Sequence, residues 1–204
     1  MKYVIIMYLL MACTPQSKES KVLPTPVIPA TTVVVGDSLM QFNNGFWLYN
    51  NQPFSGTLVN YGPNKTIAAQ QTFFNGKEQG WGVTFYSDGA IESKRYYTKG
   101  EKDSVHYGWW YNGNKRFEYH FKQGNYHGDF KEWYETGEPF KYIIYDNGTE
   151  RKGLAWRRNG KLYLNYVMQN GRRYGLINSG LCYSLKDERG EYIKSVKEDS
   201  AIAK

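Results

Sequence analysis

Residues 66–174 carry glycine-turn signals that return every 23 or 24 positions, in two interleaved registers. The first is Asn75-Gly76, Lys99-Gly100, Gln123-Gly124, Asn147-Gly148 and Asn170-Gly171, with glycines 24, 24, 24 and 23 residues apart. The second is Asp88-Gly89, Asn112-Gly113, Thr136-Gly137 and Asn159-Gly160, each of whose glycines precedes the next first-register glycine by 11 residues. Two registers held in phase over this length identify an internal repeat. Asx-Gly pairs favour tight hairpins, because both central residues of a type I′ turn need positive φ. Thr136-Gly137 and Lys99-Gly100 lack the Asx residue, so their turns are expected to be of another type. The spacing leaves strands of about six or seven residues, near 20 Å long. Each unit reads as a β-hairpin, and consecutive hairpins continue one antiparallel meander.

Alignment on the glycines shows which positions should bury. Four residues before each second-register glycine stand Phe85, Trp109, Trp133 and Trp156. Three before each first-register glycine stand Phe73, Tyr97, Phe121, Tyr145 and Met168. Two positions further back, on the same side of the sheet, lie Gln71, Arg95, Tyr119, Ile143 and Tyr166. The chain is 17% aromatic, with 19 Tyr, 10 Phe and 6 Trp, so rings rather than Leu-rich faces supply its apolar mass. We read the two aromatic columns as a structural ladder, with a ligand-stacking platform as the alternative for the Phe/Trp column. A lone hairpin is marginal, and each unit is stabilised by burying rings against the next.

The units are not identical. Gly80, Gly128 and Gly175 follow a first-register glycine by four residues, but Ser104 and Lys152 hold that phase elsewhere. Gly108 and Gly153 are expected to take over there through a local shift or bulge. Residues 53–64 look like a degenerate first unit, with Asn64 in the turn-glycine position and one extra residue after it.

Gly80-Trp81-Gly82-Val83-Thr84-Phe85-Tyr86-Ser87-Asp88-Gly89, Gly128-Asp129-Phe130-Lys131-Glu132-Trp133-Tyr134-Glu135-Thr136-Gly137 and the Tyr/Phe-x-x-Gly returns resemble MORN repeats. The likeness is to the divergent bacterial form, associated with an antitoxin-repeat family name and found in lipoproteins of Bacteroidota. It covers roughly residues 53–176 and is specific for the repeat, not for an activity. It implies an all-β fold, an elongated, curved, single antiparallel sheet of tandem hairpins, and a role in holding partners or sitting near membranes. A weaker likeness to aromatic, glycine-rich wall-binding modules keeps saccharide binding open.

The N-terminus has its own logic. Lys2 precedes the apolar run Val4 to Met11, whose eight residues cover only about 12 Å as helix, short of a roughly 30 Å hydrocarbon layer. It reads as a processed leader. Leu10-Met11-Ala12-Cys13 resembles a lipoprotein signal with Cys13 as the lipidated residue, and Thr14 after it favours the outer membrane by the known sorting rule. Pro15, Pro24, Pro26 and Pro29 then make an extended tether. The expected division is signal peptide 1–12, lipidated cysteine and tether 13–32, repeat domain 33–185, and charged tail or short capping helix 186–204. Asn178-Ser179-Gly180 is the expected turn of the closing strands. Cys182 is left as a lone thiol, expected to be shielded.

Chemistry-bearing constellations are sparse. His106, His120 and His127 have no cysteine or carboxylate cluster to complete a metal set. Ser179 and Ser184 lack a nucleophile-elbow context, and Asp187-Glu188 sits in a polar segment. No enzyme, cofactor or metal is expected, and a hydrolase is a distant third reading. Lys and Arg are interspersed with acids despite a net charge of +7, so no nucleic-acid partner is expected. The expected function is a lipid-anchored envelope module that binds or scaffolds another protein. Envelope glycan or phospholipid headgroups are the alternative. Tyr86, Trp110, Tyr134, Tyr142 and Tyr163 are the candidate contact rings, and Arg157, Arg158, Arg172 and Arg173 the candidate cations.

Overall fold

The computed structural model describes residues 25–177. The leader, Cys13, most of the tether, the Asn178-Ser179-Gly180 turn, Cys182 and the C-terminal tail lie outside the described residues. Within them the chain forms β1 (Thr32–Val34), β2 (Met40–Asn43), β3 (Phe46–Tyr49), β4 (Gln52–Pro53), β5 (Gly56–Tyr61), β6 (Ile67–Phe74), β7 (Lys77–Phe85) and β8 (Ile91–Thr98). There follow β9 (Glu101–Lys102), β10 (Ser104–Trp109), β11 (Lys115–Lys122), β12 (Asn125–Trp133), β13 (Pro139–Asp146), β14 (Thr149–Trp156), β15 (Leu162–Gln169) and β16 (Arg172–Ile177).

The turn chemistry explains the alternation. All five first-register pairs, Lys99-Gly100 included, place both residues at positive φ, as a two-residue I′ hairpin requires. The second register is built differently. Gly89 N donates to Tyr86 O at 3.0 Å and Tyr86 N to Ala90 O at 2.8 Å, with only the glycine at positive φ. The same pattern recurs at Gly113, Gly137 and Gly160. The residue before the glycine is therefore unconstrained, which is why Thr136 is tolerated. The first unit keeps the 11-residue interval: Lys65, not Asn64, takes the turn-glycine place at φ 58°. Ser104 likewise holds φ 58° in the phase of Gly80 and Gly128, so Gly108 does not have to replace it. In the next unit neither Lys152 nor Gly153 is at positive φ, and the pairing shifts between Ile144 and Tyr145.

The expectation of one elongated, curved antiparallel sheet is overturned. Thirteen strands form an open sheet that neither closes nor curls, and β2, β3 and β4 form a separate three-stranded sheet. β1 pairs in parallel with β5, Val33 lying opposite Leu58, so the large sheet is mixed. The reason lies in residues 35–55. Asn44-Gly45 and Asn50-Asn51 turn the chain at positive φ after strands of only four residues, too short to continue the eight-residue ladder. The short sheet instead folds over the first units. Trp47 meets Phe73 edge-on at 5.9 Å between ring centres, and Phe54 meets it at 5.8 Å. Trp47 N donates to Gly76 O at 2.8 Å and Gly76 N to Phe54 O at 2.7 Å. Val33, Phe54 and Phe73 are the buried core of this capped end, flanked by Met40, Tyr49 and Leu58.

Candidate functional site

The registers β7–β8, β8–β10, β10–β11 and β11–β12 put Arg95, His106, Tyr119, Phe121 and Tyr126 on one face, which is also the face of Phe73. Over β8 to β13 that face carries a continuous lattice of rings. Phe117 stacks on Tyr119 (4.5 Å, 12°) and Tyr119 on Phe130 (4.1 Å, 15°). Phe121 stacks on Tyr126 (4.6 Å), which stacks in turn on Tyr145 (5.0 Å). His106 joins the lattice against Phe121 at 4.5 Å. Two departures from regular pairing make room for it. Gly108 lies opposite Phe117, whose ring crosses it so closely that any β-carbon would collide. The bulge between Tyr119 and Phe121 sets Tyr119 opposite Phe130 and Phe121 opposite Tyr126.

Above the lattice is a groove of about 480 Å³. Arg95, Lys102 and Arg116 contribute cations to its wall, and Glu132 is its one carboxylate. Glu132 is committed: Tyr119 Oη donates to it at 2.6 Å and Lys141 pairs with it at 3.0 Å. Burial and then this carboxylate push the Tyr119 phenol far above its ordinary range. Arg116 lies over Trp110 and Phe117 and pairs with Glu92 at 3.7 Å. Arg95 and Lys102 have no carboxylate partner among the described residues; Lys102 sits 5.3 Å over Phe121. His106 lies beneath them, 2% exposed, with Nε2 2.7 Å from Tyr96 O. Burial first, and then the Arg95 and Lys102 charges, hold its pKa below the ordinary histidine value. At neutral pH it is therefore a neutral ring that donates Nε2–H to that carbonyl.

The candidate contact rings occupy several different settings. Tyr86 Oη donates to Trp109 O (2.7 Å), Trp110 Nε1 to Trp133 O (3.1 Å) and Tyr134 Oη to Trp156 O (2.8 Å). Each thus clasps the next unit, and Trp110 also lines the groove. Tyr142 is half-buried on the opposite face, its hydroxyl donating to Asp129 at 2.9 Å. Tyr134, Tyr163, Arg157 and Arg158 come together around a shallow open hollow of about 460 Å³. Arg172 is exposed on β16 opposite Gln169 and joins neither site, while Arg173 pairs with Glu150 at 2.7 Å. Phe85, Trp109, Trp133 and Trp156 stand half-buried at the ends of β7, β10, β12 and β14, each just past a register shift. Among the described residues the ring contacts join none of these four to another.

Of the histidines, His120 lies 3.4 Å from Glu118, and His127 Nδ1 accepts from Asn147 N at 3.3 Å. Among the described residues no three His, Cys, Asp or Glu side chains are grouped to hold a metal, and no helix is long and apolar enough to cross a membrane. The sequence reading missed His106, Phe117, Tyr126 and Phe130 as site residues. No protein-family model matches the sequence, and no curated protein matches it either.

Proposed function

We propose that this chain is a MORN-type repeat lipoprotein, anchored through Cys13 in the outer membrane, whose ring-lined groove binds another envelope protein. The observation that carries the reading is the groove itself. Half-buried tyrosines and tryptophans stand beside cations on one face of a rigid sheet, the composition that protein contact sites favour. The rings are already packed against each other, so little side-chain freedom is left to lose on binding. The 24-residue pitch and the leader ending at Cys13 support the family and the anchor.

A photo-crosslinking phenylalanine placed at Tyr119 in the full-length, lipidated chain in its own cells tests this. We expect one defined protein adduct from Tyr119 and none from the same probe at Val167, which is exposed on the other face. Equal labelling from both positions, or no protein adduct from Tyr119, overturns the reading.

A further inference from the structure

At the capped end the protein shows what its lattice face accepts. Phe73 belongs to the same column as Tyr97, Phe121 and Tyr145, and there Trp47 and Phe54 of the chain itself lie against the ring. Two units further on, the equivalent Phe121 is covered by Tyr126 and His106 of the lattice itself, with no separate segment laid over it. Its neighbours differ in charge as well. Lys102 lies over its ring, and Arg95 lines the same groove without a carboxylate partner among the described residues. Lys102 lies opposite Tyr97, and Arg95 is two residues back from Tyr97 on the same face, so the two cations are diagonal neighbours in the sheet. The groove's one acid, Glu132, is already bonded to Tyr119 and Lys141 and cannot neutralise them.

From this juxtaposition we propose that the groove receives an acidic, aromatic peptide segment of its partner protein. A carboxylate lodges between Arg95 and Lys102, and an adjacent ring lies against the half-buried Trp110 and Tyr126 that line the groove. Like charges held together over a low-polarity floor are relieved by an anion, so the carboxylate contributes affinity as well as orientation. Tyr119 and Tyr126 are half-buried and line the groove, and rings pair there in offset and edge-on geometries, the arrangements seen throughout the lattice. A glycan would instead need broad, free ring faces. Here the faces of Phe117, Phe121 and Phe130 are turned against neighbouring rings and buried. The proposal rests on the protein-binding reading and deepens it.

Fluorescence anisotropy of the full chain with labelled decapeptides is the test, one peptide alternating Glu with Phe and a second alternating Gln with Phe. We expect saturable binding of the Glu peptide, weakening about tenfold or more for the Gln peptide and for the Arg95→Ala/Lys102→Ala double variant, and weakening with added salt. Arg157→Ala/Arg158→Ala should bind as the parent does. Both pairs are exposed, and unchanged urea midpoints verify that the folds are intact. Equal affinity for the two peptides, loss in the Arg157/Arg158 variant instead, absence of any binding, or tighter binding of oligogalacturonate in the groove would each overturn the proposal. A Tyr119 crosslink to a protein persisting in the Arg95→Ala/Lys102→Ala form would leave the protein-binding reading standing while removing this one.

Discussion

The hydroxyl of Tyr86 reaches the main-chain oxygen of Trp109, 23 residues along the chain, at 2.7 Å. One unit on, Trp110 does the same to Trp133, and after that Tyr134 to Trp156. A net hydrogen bond of this kind contributes about 0.5–1.5 kcal/mol. Tyr86→Phe and Tyr134→Phe should each cost about 1 kcal/mol by urea unfolding. Two units, some four strands or about 19 Å, separate them, so the double variant should lose the sum. No loss in either single variant would mean the clasps do not hold the units together.

Ser104 and Lys65 hold φ near 58°, where a β-carbon crowds the following carbonyl. Ser104→Gly and Lys65→Gly should each stabilise the fold by about 1 kcal/mol, against the usual direction for an added glycine. A lowered thermal midpoint in both would contradict the backbone assignment.

Gly108 is needed for space rather than for φ. Phe117 lies directly over it and is itself stacked on Tyr119, so the ring cannot yield without breaking the lattice. Gly108→Ala should cost about 1–3 kcal/mol, the range for overpacking. Adding Phe117→Leu should recover part of that loss. If the alanine alone is neutral, the ring is not seated where described.

His106 gives the stability a pH signature. Its folded pKa lies below the ordinary value of 6.5, so the unfolded chain takes the proton first. The contribution is present above pH 6.5 and is lost as pH falls from there through the lowered folded value. Phe130 fills the equivalent position one unit later, so His106→Phe should fold while removing this titration. Unfolding free energies of parent and variant, subtracted at each pH between about 7.5 and 5, should show the parent losing ground as acid is added. A flat difference would exclude His106 as the source.

The glycine registers made the hairpins readable because each unit repeats the same backbone requirement. Lys99 and Gln123 adopt the same positive φ as Asn75 despite lacking its side chain, so position within the turn outweighed residue type. The capping sheet was not readable. Its Asn-rich turns follow four-residue strands and are out of phase with everything after them. The groove escaped for a different reason. Seven residues before the second-register glycines the chain reads Gly82, His106, Phe130 and Gly153, and two after the first-register glycines it reads Glu78, Lys102, Tyr126, Glu150 and Arg173. Columns so mixed carry no consensus, and the ring lattice sits in the units where the pattern breaks. Trp110 was legible as a ring set apart from Trp109, but its bond to Trp133 O depends on how neighbouring units lie together. A single-unit alignment does not contain that distance.

Beyond the cap, the main contacts between strands join only neighbours in the sheet. No distant segment has to be satisfied when a hairpin is gained or lost. Unequal recombination between such similar stretches can therefore lengthen or shorten the molecule in whole steps and still leave sound junctions. The length of the ring-bearing face then scales with the number of hairpins, and the chemistry of any one step resides in its own side chains.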